Sequence, residues 1–202
     1  MRAATQSSNA MARRASRMLP AGTPAPQFTL PDTVSGRSVS LESYADSAAV
    51  LVAFICNHCP FVKHILDGFV AFARDFDDRG LAVIAISSND VESYPQDSPV
   101  EMARLAALKD FTFPYLYDES QAVALAYEAV CTPDFYLFDR NRQLVYHGQF
   151  DASRPGNGVP VTGRDLRAAC EALLSGAPVP REQVASVGCS IKWRADRAPE
   201  WA

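Results

Sequence analysis

No apolar run in this chain of 202 residues approaches the roughly 20 that a membrane-spanning helix requires, so no bilayer crossing is expected. Cysteine is scarce. Five in the whole chain lie far below the density of a disulfide-stapled scaffold, and an odd count with one tight pair points to reactive or free thiols. Neither sign of charge dominates, with 19 Lys and Arg against 23 Asp and Glu and a formal charge of -4. That balance provides no electrostatic basis for nucleic acid or an anionic membrane surface as partner. Internal repeats are lacking. Acidic residues are missing from two stretches: none precedes Asp32, and none lies between positions 47 and 66.

The first acid-free stretch holds Arg2, Arg13, Arg14 and Arg17 but no apolar core, which excludes a secretory signal peptide. Residues 1–18 read as a disordered leader or a cloning remnant, with translation starting naturally at Met11 or Met18. An organelle transit peptide is the alternative. The lack of a secretory signal makes the cytoplasm the expected location.

The 48% hydrophobic content suits one domain with a true core, expected over residues 19–176. "QFTL" and "SVSL" around "PDTVSGR" read as a short strand pair. "AAVLVAFI" (48–55) and "LAVIAIS" (81–87) are unbroken apolar runs, as in strands buried on both faces. Between them Val62, Ile65, Leu66, Phe69, Ala73 and Phe76 recur at helical spacing, with Gly80 as the stop. Ser98, Pro99 and Glu101 predict a capping box opening the helix "PVEMARLAALKDF". "FPYLYDESQAVALAYEAV" reads as a short strand and a helix, "DFYLFD" and "QLVYHGQF" as a hairpin, and "GRDLRAACEALLSG" as a last helix closed by Gly176. Helices alternating with strands, then a late hairpin, predict an α/β fold with a central mixed sheet flanked by helices. The tail, residues 177–202, carries Val187, Ile191 and Trp193 and is expected to dock on the domain.

The chemistry concentrates in "AFICNHCPFVKHIL". Cys56 and Cys59 sit where a buried strand ends and a helix begins. A helix N-terminus offers free N–H groups and partial positive charge, and both favour the reactive thiolate over the thiol. The second acid-free stretch surrounds this pair, and His58, when protonated, would stabilise a thiolate further. Downstream, Thr132–Pro133 stands immediately before a strand, and X–Pro bonds are the ones that adopt cis at low cost.

This combination resembles the thioredoxin-like superfamily, in which CxxC at a strand-to-helix turn lies against a cis-Pro in space. By that resemblance Thr132 and Pro133 take the cis-Pro place. "AGTPAPQFTLPDTVSGRSVSLESY" and "FPYLYDESQAVALAYEAV" look like the alkyl hydroperoxide reductase and thiol-specific antioxidant branch, and the resemblance spans residues 20 to 175. "CNHCPFVKH" with the terminal "GCSIKW" is similar to a peroxiredoxin-like subgroup that carries CxxC.

The resemblance implies an oxidoreductase and leaves two mechanisms. In dithiol–disulfide exchange, the favoured one, Cys56 is the exposed nucleophile and Cys59 resolves the mixed disulfide. In a thiol peroxidase, Cys59 reacts with a hydroperoxide and Cys56 or Cys189 resolves the sulfenic acid. Two departures weigh against the peroxidase: Val52 stands where that family has Pro, and Thr132–Pro133 where it has Arg. A His before the second Cys resembles oxidising disulfide exchangers. No cofactor is expected, and the redox partner is a thiol or disulfide protein or glutathione.

Plainer readings stand beside these. Cys56, Cys59, His64 and Cys189 could hold zinc or copper, or the domain could be a redox sensor. His64 otherwise reads as solvated or capping, Cys170 as a core thiol, Cys131 as structural and His147 as half-exposed and idle. Arg154 could reach the site from its loop, Lys192 and Trp193 could cover it, and Cys189 is either a third redox thiol or a packed one.

Overall fold

The computed structural model describes residues 13–201. In chain order the elements are β1 (Arg13–Ala15), β2 (Thr29–Pro31), β3 (Ser38–Ser40), β4 (Ala49–Phe54), α1 (Pro60–Phe76), β5 (Leu81–Ser87), α2 (Pro99–Lys109), β6 (Tyr115–Tyr117), α3 (Ala122–Ala126), β7 (Cys131–Thr132), β8 (Asp134–Phe138), β9 (Leu144–Gly148), α4 (Arg164–Ser175) and β10 (Val187–Ser190). Five strands form the central sheet in the order β6-β5-β4-β8-β9. Strands β4, β5 and β6 run parallel, while β8 and β9 run antiparallel, so the sheet is mixed.

β4 is the middle strand, and all six of its residues are buried. Side chains alternate across a strand, so an apolar run without polar interruptions must face two cores. Leu51 and Ala53 join Val83 and Ala85 of β5 on one face, against α1 and α4. Val50, Val52 and Phe54 join Ile84 and Ile86 on the other, against α3 and the β2–β3 pair. The expected face of α1 is buried throughout, from Val62 to Phe76. Each such side chain contributes roughly 1.5–3 kcal/mol of hydrophobic stabilisation. A short 3-10 turn separates α1 from Gly80, whose φ of +84° closes the segment.

Three expectations change. The leader does not extend to residue 18. Arg13–Ala15 forms β1 and pairs antiparallel with β10, while residues 1–12 lie outside those described. An unpaired β10 edge would leave backbone donors and acceptors unsatisfied, and β1 covers that edge while its own side chains stay in solvent. Ser98 does cap α2 with its backbone, its carbonyl accepting from the Met102 N–H, but its side chain makes no capping bond and Glu101 pairs with Arg104. His147 is buried, not half-exposed. Its Nε2 meets Asp134 Oδ1 at 3.1 Å and its Nδ1 accepts the Leu19 N–H. Because α4 and the tail cover β9, a polar residue there must find partners inside.

The tail docks as a strand. β10 lies between β1 and β7 in a small antiparallel sheet, with Cys189 opposite Thr132. Beyond it Ile191 is buried, and the Lys192 N–H donates to Asn89 Oδ1.

Candidate active site

The site is built where β4 runs out. Ile55 still pairs with β5 through its N–H to the Ile86 carbonyl, and the chain then turns through Cys56, Asn57 and His58 into α1. Cys59 is the N-cap of α1, in extended conformation, with Pro60 at the first helical position. Pro belongs there because its missing N–H would have had no helical partner. The Cys59 sulfur therefore sits at the positive end of a helix of 17 residues.

β7 and β10 bring the remaining groups. The Thr132–Pro133 bond is cis. Thr132 Oγ1 lies 3.3 Å from Cys56 Sγ, and its carbonyl oxygen lies 3.1 Å from Cys59 Sγ. Gly188 packs so closely on Thr132 that a Cβ there would come within 1.9 Å of the carbonyl oxygen. That approach seats Cys189 beside Cys59, and the two thiols share a hydrogen bond. Cys56, Cys59 and Cys189 are each no more than 2% exposed, and all are free thiols.

The two cysteines of the pair are not equivalent. Cys59 is held far below the ordinary thiol range, first by the hydrogen bond from Cys189, then by that from Cys56, with the Val62 N–H adding to both against the cost of burial. Cys56 is pushed well above that range by burial, by its hydrogen bond to Cys59 and by the nearby Asp97. Cys189 is raised as well, since it is the donor to Cys59. Both sulfurs are buried, and of the two it is the Cys59 thiol that is lowered. Cys56, expected to be exposed, is buried. The helix start favours whichever sulfur occupies the N-cap, and the N-cap is the second cysteine.

His58 is held by partners of its own. Its Nδ1 lies 2.5 Å from Asp97 Oδ2 and 3.9 Å from Cys56 Sγ, and its ring stacks on Tyr94. Asp97, fully buried, was not legible in the sequence, because 39 residues separate it from His58 and "QDSP" reads as a helix start. Tyr115, whose hydroxyl donates to Asn57 Oδ1, was missed for the same reason.

Other expectations resolve as follows. Among the described residues the one group of three or more close metal-ligating side chains is Cys56, His58 and Asp97, so Cys59, His64 and Cys189 do not converge with Cys56 as a zinc set. His64 Nε2 is buried rather than solvated. Cys170 is a buried core thiol, and Cys131 is buried between Ser16 and Pro133. Arg154 donates to the Asp151 and Ser153 carbonyls and to Gln149 Oε1. Lys192 Nζ lies 5.6 Å above the Tyr94 ring, at the rim of the site, while Trp193 packs on the second core and against Trp201.

The AhpC/TSA family model matches residues 21–147, more than half of the chain and nearly the whole central sheet. The chain belongs to the AhpC/TSA family. An uncharacterised conserved protein from Geobacillus kaustophilus is 52% identical over 92% of this chain and 98% of its own, with a TM-score of 0.90. The hypothetical protein SMc02350 from Sinorhizobium meliloti 1021 is 51% identical over 90% and 98%, with a TM-score of 0.88. More distant structures share the thioredoxin-like fold of this AhpC/TSA chain. One is a putative thiol:disulfide interchange protein DsbE from Chlorobium tepidum, 19% identical over 78% and 99% with a TM-score of 0.60. Another is the peroxidoxin BcpB from Mycobacterium tuberculosis, 19% identical over 63% and 84% with a TM-score of 0.53. No curated protein matches the chain. Among the described residues no helix is long and apolar enough to cross a membrane.

Proposed function

We propose that this AhpC/TSA protein is a thiol–disulfide oxidoreductase in which Cys59 reacts first and Cys56 second. The observation that carries the reading is the place of Cys59 as N-cap of the 17-residue α1, with Cys56 turned to Thr132 and His58 instead, and the lowered Cys59 and raised Cys56 thiols agree with it. The Cys59 thiolate attacks one sulfur of a substrate disulfide, forming a mixed disulfide and expelling the other sulfur as thiolate. Cys56 then attacks the Cys59 sulfur. The Cys56–Cys59 bond forms, the bond to substrate breaks, and the departing sulfur takes the proton that Cys56 gives up. Two electrons pass to the substrate, and a thiol protein or glutathione restores the dithiol.

A hydroperoxide is the second reading, favoured by the burial of all three sulfurs behind β10, which suits a small oxidant. Cys59 would attack the outer oxygen, releasing an alcohol or water and becoming a sulfenic acid. Cys56 or Cys189 would then condense with it, expelling water.

Stopped-flow oxidation of the reduced protein by hydrogen peroxide and by a model disulfide tests both. On the exchange reading the disulfide reacts faster, Cys59→Ser abolishes the reaction, and Cys56→Ser traps a mixed disulfide at Cys59. Rapid peroxide oxidation that survives Cys56→Ser and dies with Cys59→Ser transfers the case to the peroxidase. Full reaction in Cys59→Ser would sink both. Disulfide mapping of Cys189→Ser decides the third thiol, and an unchanged map removes Cys189 from the cycle.

A further inference from the structure

One residue outside the CNHC turn holds it in shape. Asp97 ends a short 3-10 turn, Pro95–Asp97, and is fully buried. Its Oδ1 accepts the backbone N–H groups of Asn57 at 2.8 Å and of His58 at 3.1 Å. Its Oδ2 accepts from Asn89 Nδ2 at 2.8 Å and meets His58 Nδ1 at 2.5 Å. Three N–H donors thus point at its two oxygens, and the His58 ring nitrogen lies against the second. His58 Nδ1 is thereby turned to Asp97, and Nε2 is buried without a partner. Cys56 Sγ, His58 Nδ1 and an Asp97 carboxylate oxygen all lie within 4.8 Å of one another. Cys59 faces Cys189, Val62 and Thr132 instead.

We propose that Asp97 is a positioning residue that sorts charge between the two sulfurs: acting on Cys56 directly and through His58, it keeps the proton on Cys56 and leaves the electron pair on Cys59. The inference rests on the reading that Cys59 reacts first. The physical basis is simple. A carboxylate within about 4–6 Å of a thiol opposes a second negative charge there, and in a buried site little solvent screens it. Asp97 contributes to the upward push on Cys56, after burial and the hydrogen bond with Cys59, whereas the leading influences on Cys59 are Cys189, Cys56, burial and the Val62 N–H. The other groups facing Cys56 are Cys59 and His58 on its own turn, Thr132 on β7 and Tyr115 on β6. Lys192 lies beyond His58, across the Tyr94 ring. Without Asp97 the two sulfurs would differ less, and either could start the reaction.

The test is a thiolate titration by ultraviolet absorbance in the Cys59→Ser protein, where Cys56 alone of the pair remains. Adding Asp97→Asn is expected to lower the Cys56 midpoint by about one pH unit or more, a tenfold rise in thiolate at fixed pH below both midpoints. An unchanged or raised midpoint overturns the proposal, and a merely structural role would not move it downward. If circular dichroism shows the Asn variant unfolded, Asp97→Ser is read in the same way. With Asp97 intact, a Cys56 midpoint below the free-thiol value of about 8.5 also overturns it. Failure of the underlying reading shows separately: mass mapping of the unaltered protein under limiting iodoacetamide would find Cys56 labelled before Cys59.

Discussion

At the scale of the residue, the fold gives like groups unlike surroundings. Cys56, Cys59 and Cys189 meet at the start of α1, and hydrogen bonds from Cys189 and Cys56 lower the Cys59 thiol. A stabilised thiolate stabilises the reduced form, which makes the disulfide form the stronger oxidant. The Cys56–Cys59 couple is therefore expected to be more oxidising than that of thioredoxin, about -270 mV. Cys189→Ala removes the largest support of the Cys59 thiolate and should make the couple less oxidising, by about 30 mV for each tenfold loss of thiolate stabilisation. Equilibration against glutathione reads both values. A wild-type potential at or below that of thioredoxin, or one unmoved by Cys189→Ala, would refute the argument.

At the scale of the element, β10 is expected to control what reaches the sulfurs. Thr132 is paired with Cys189, so the strand edge beside the thiols is taken by the chain's own tail. Gly188 makes this fit possible, because a side chain at that position would collide with the Thr132 carbonyl. The collision is with backbone, which cannot swing aside as a side chain can. Gly188→Ala is expected to lift β10 locally, at a cost of about 1–3 kcal/mol or more. Modification of Cys59 and Cys189 by a small thiol reagent should then accelerate well beyond the loss in global stability measured by urea. Unchanged labelling rates would show that β10 does not control access.

At the scale of the whole molecule, buried thiols tie stability to pH. Cys56, Cys131 and Cys170 keep their protons in the folded state far above the ordinary thiol value, in each case chiefly through burial. In the unfolded chain they ionise near pH 8.5. Their folded pKa values are raised, so their contribution is fully present below about pH 8.5 and is lost as pH rises beyond it, at about 1.4 kcal/mol per pH unit for each thiol. Cys59 runs the other way, since its folded pKa is depressed. Its contribution is full above about pH 8.5 and declines as pH falls below that. Urea unfolding of the reduced protein between pH 8 and 10 should show the alkaline loss, with a shallower slope in Cys170→Ala. Parallel slopes would mean that Cys170 is ionised in the folded state or protected in the unfolded one.

Much of this was legible in the order of residues. The apolar run of β4 had to be a strand buried on both faces, the spacing from Val62 to Phe76 had to be a helix, and the cysteine pair had to sit between them. Thr132–Pro133 marked its place before β8, and the tail's apolar residues marked it as docked. These are properties of sequence neighbours, because periodicity and capping act over a few residues. What tertiary structure alone decided is the surroundings of the pair. Asp97 arrives from 39 residues past His58, Thr132 from 76 past Cys56, and Cys189 from the far end of the chain. Burial and charge act through space at a few ångströms. The sequence could therefore say where the two sulfurs would be, and only the fold could say what surrounds each of them.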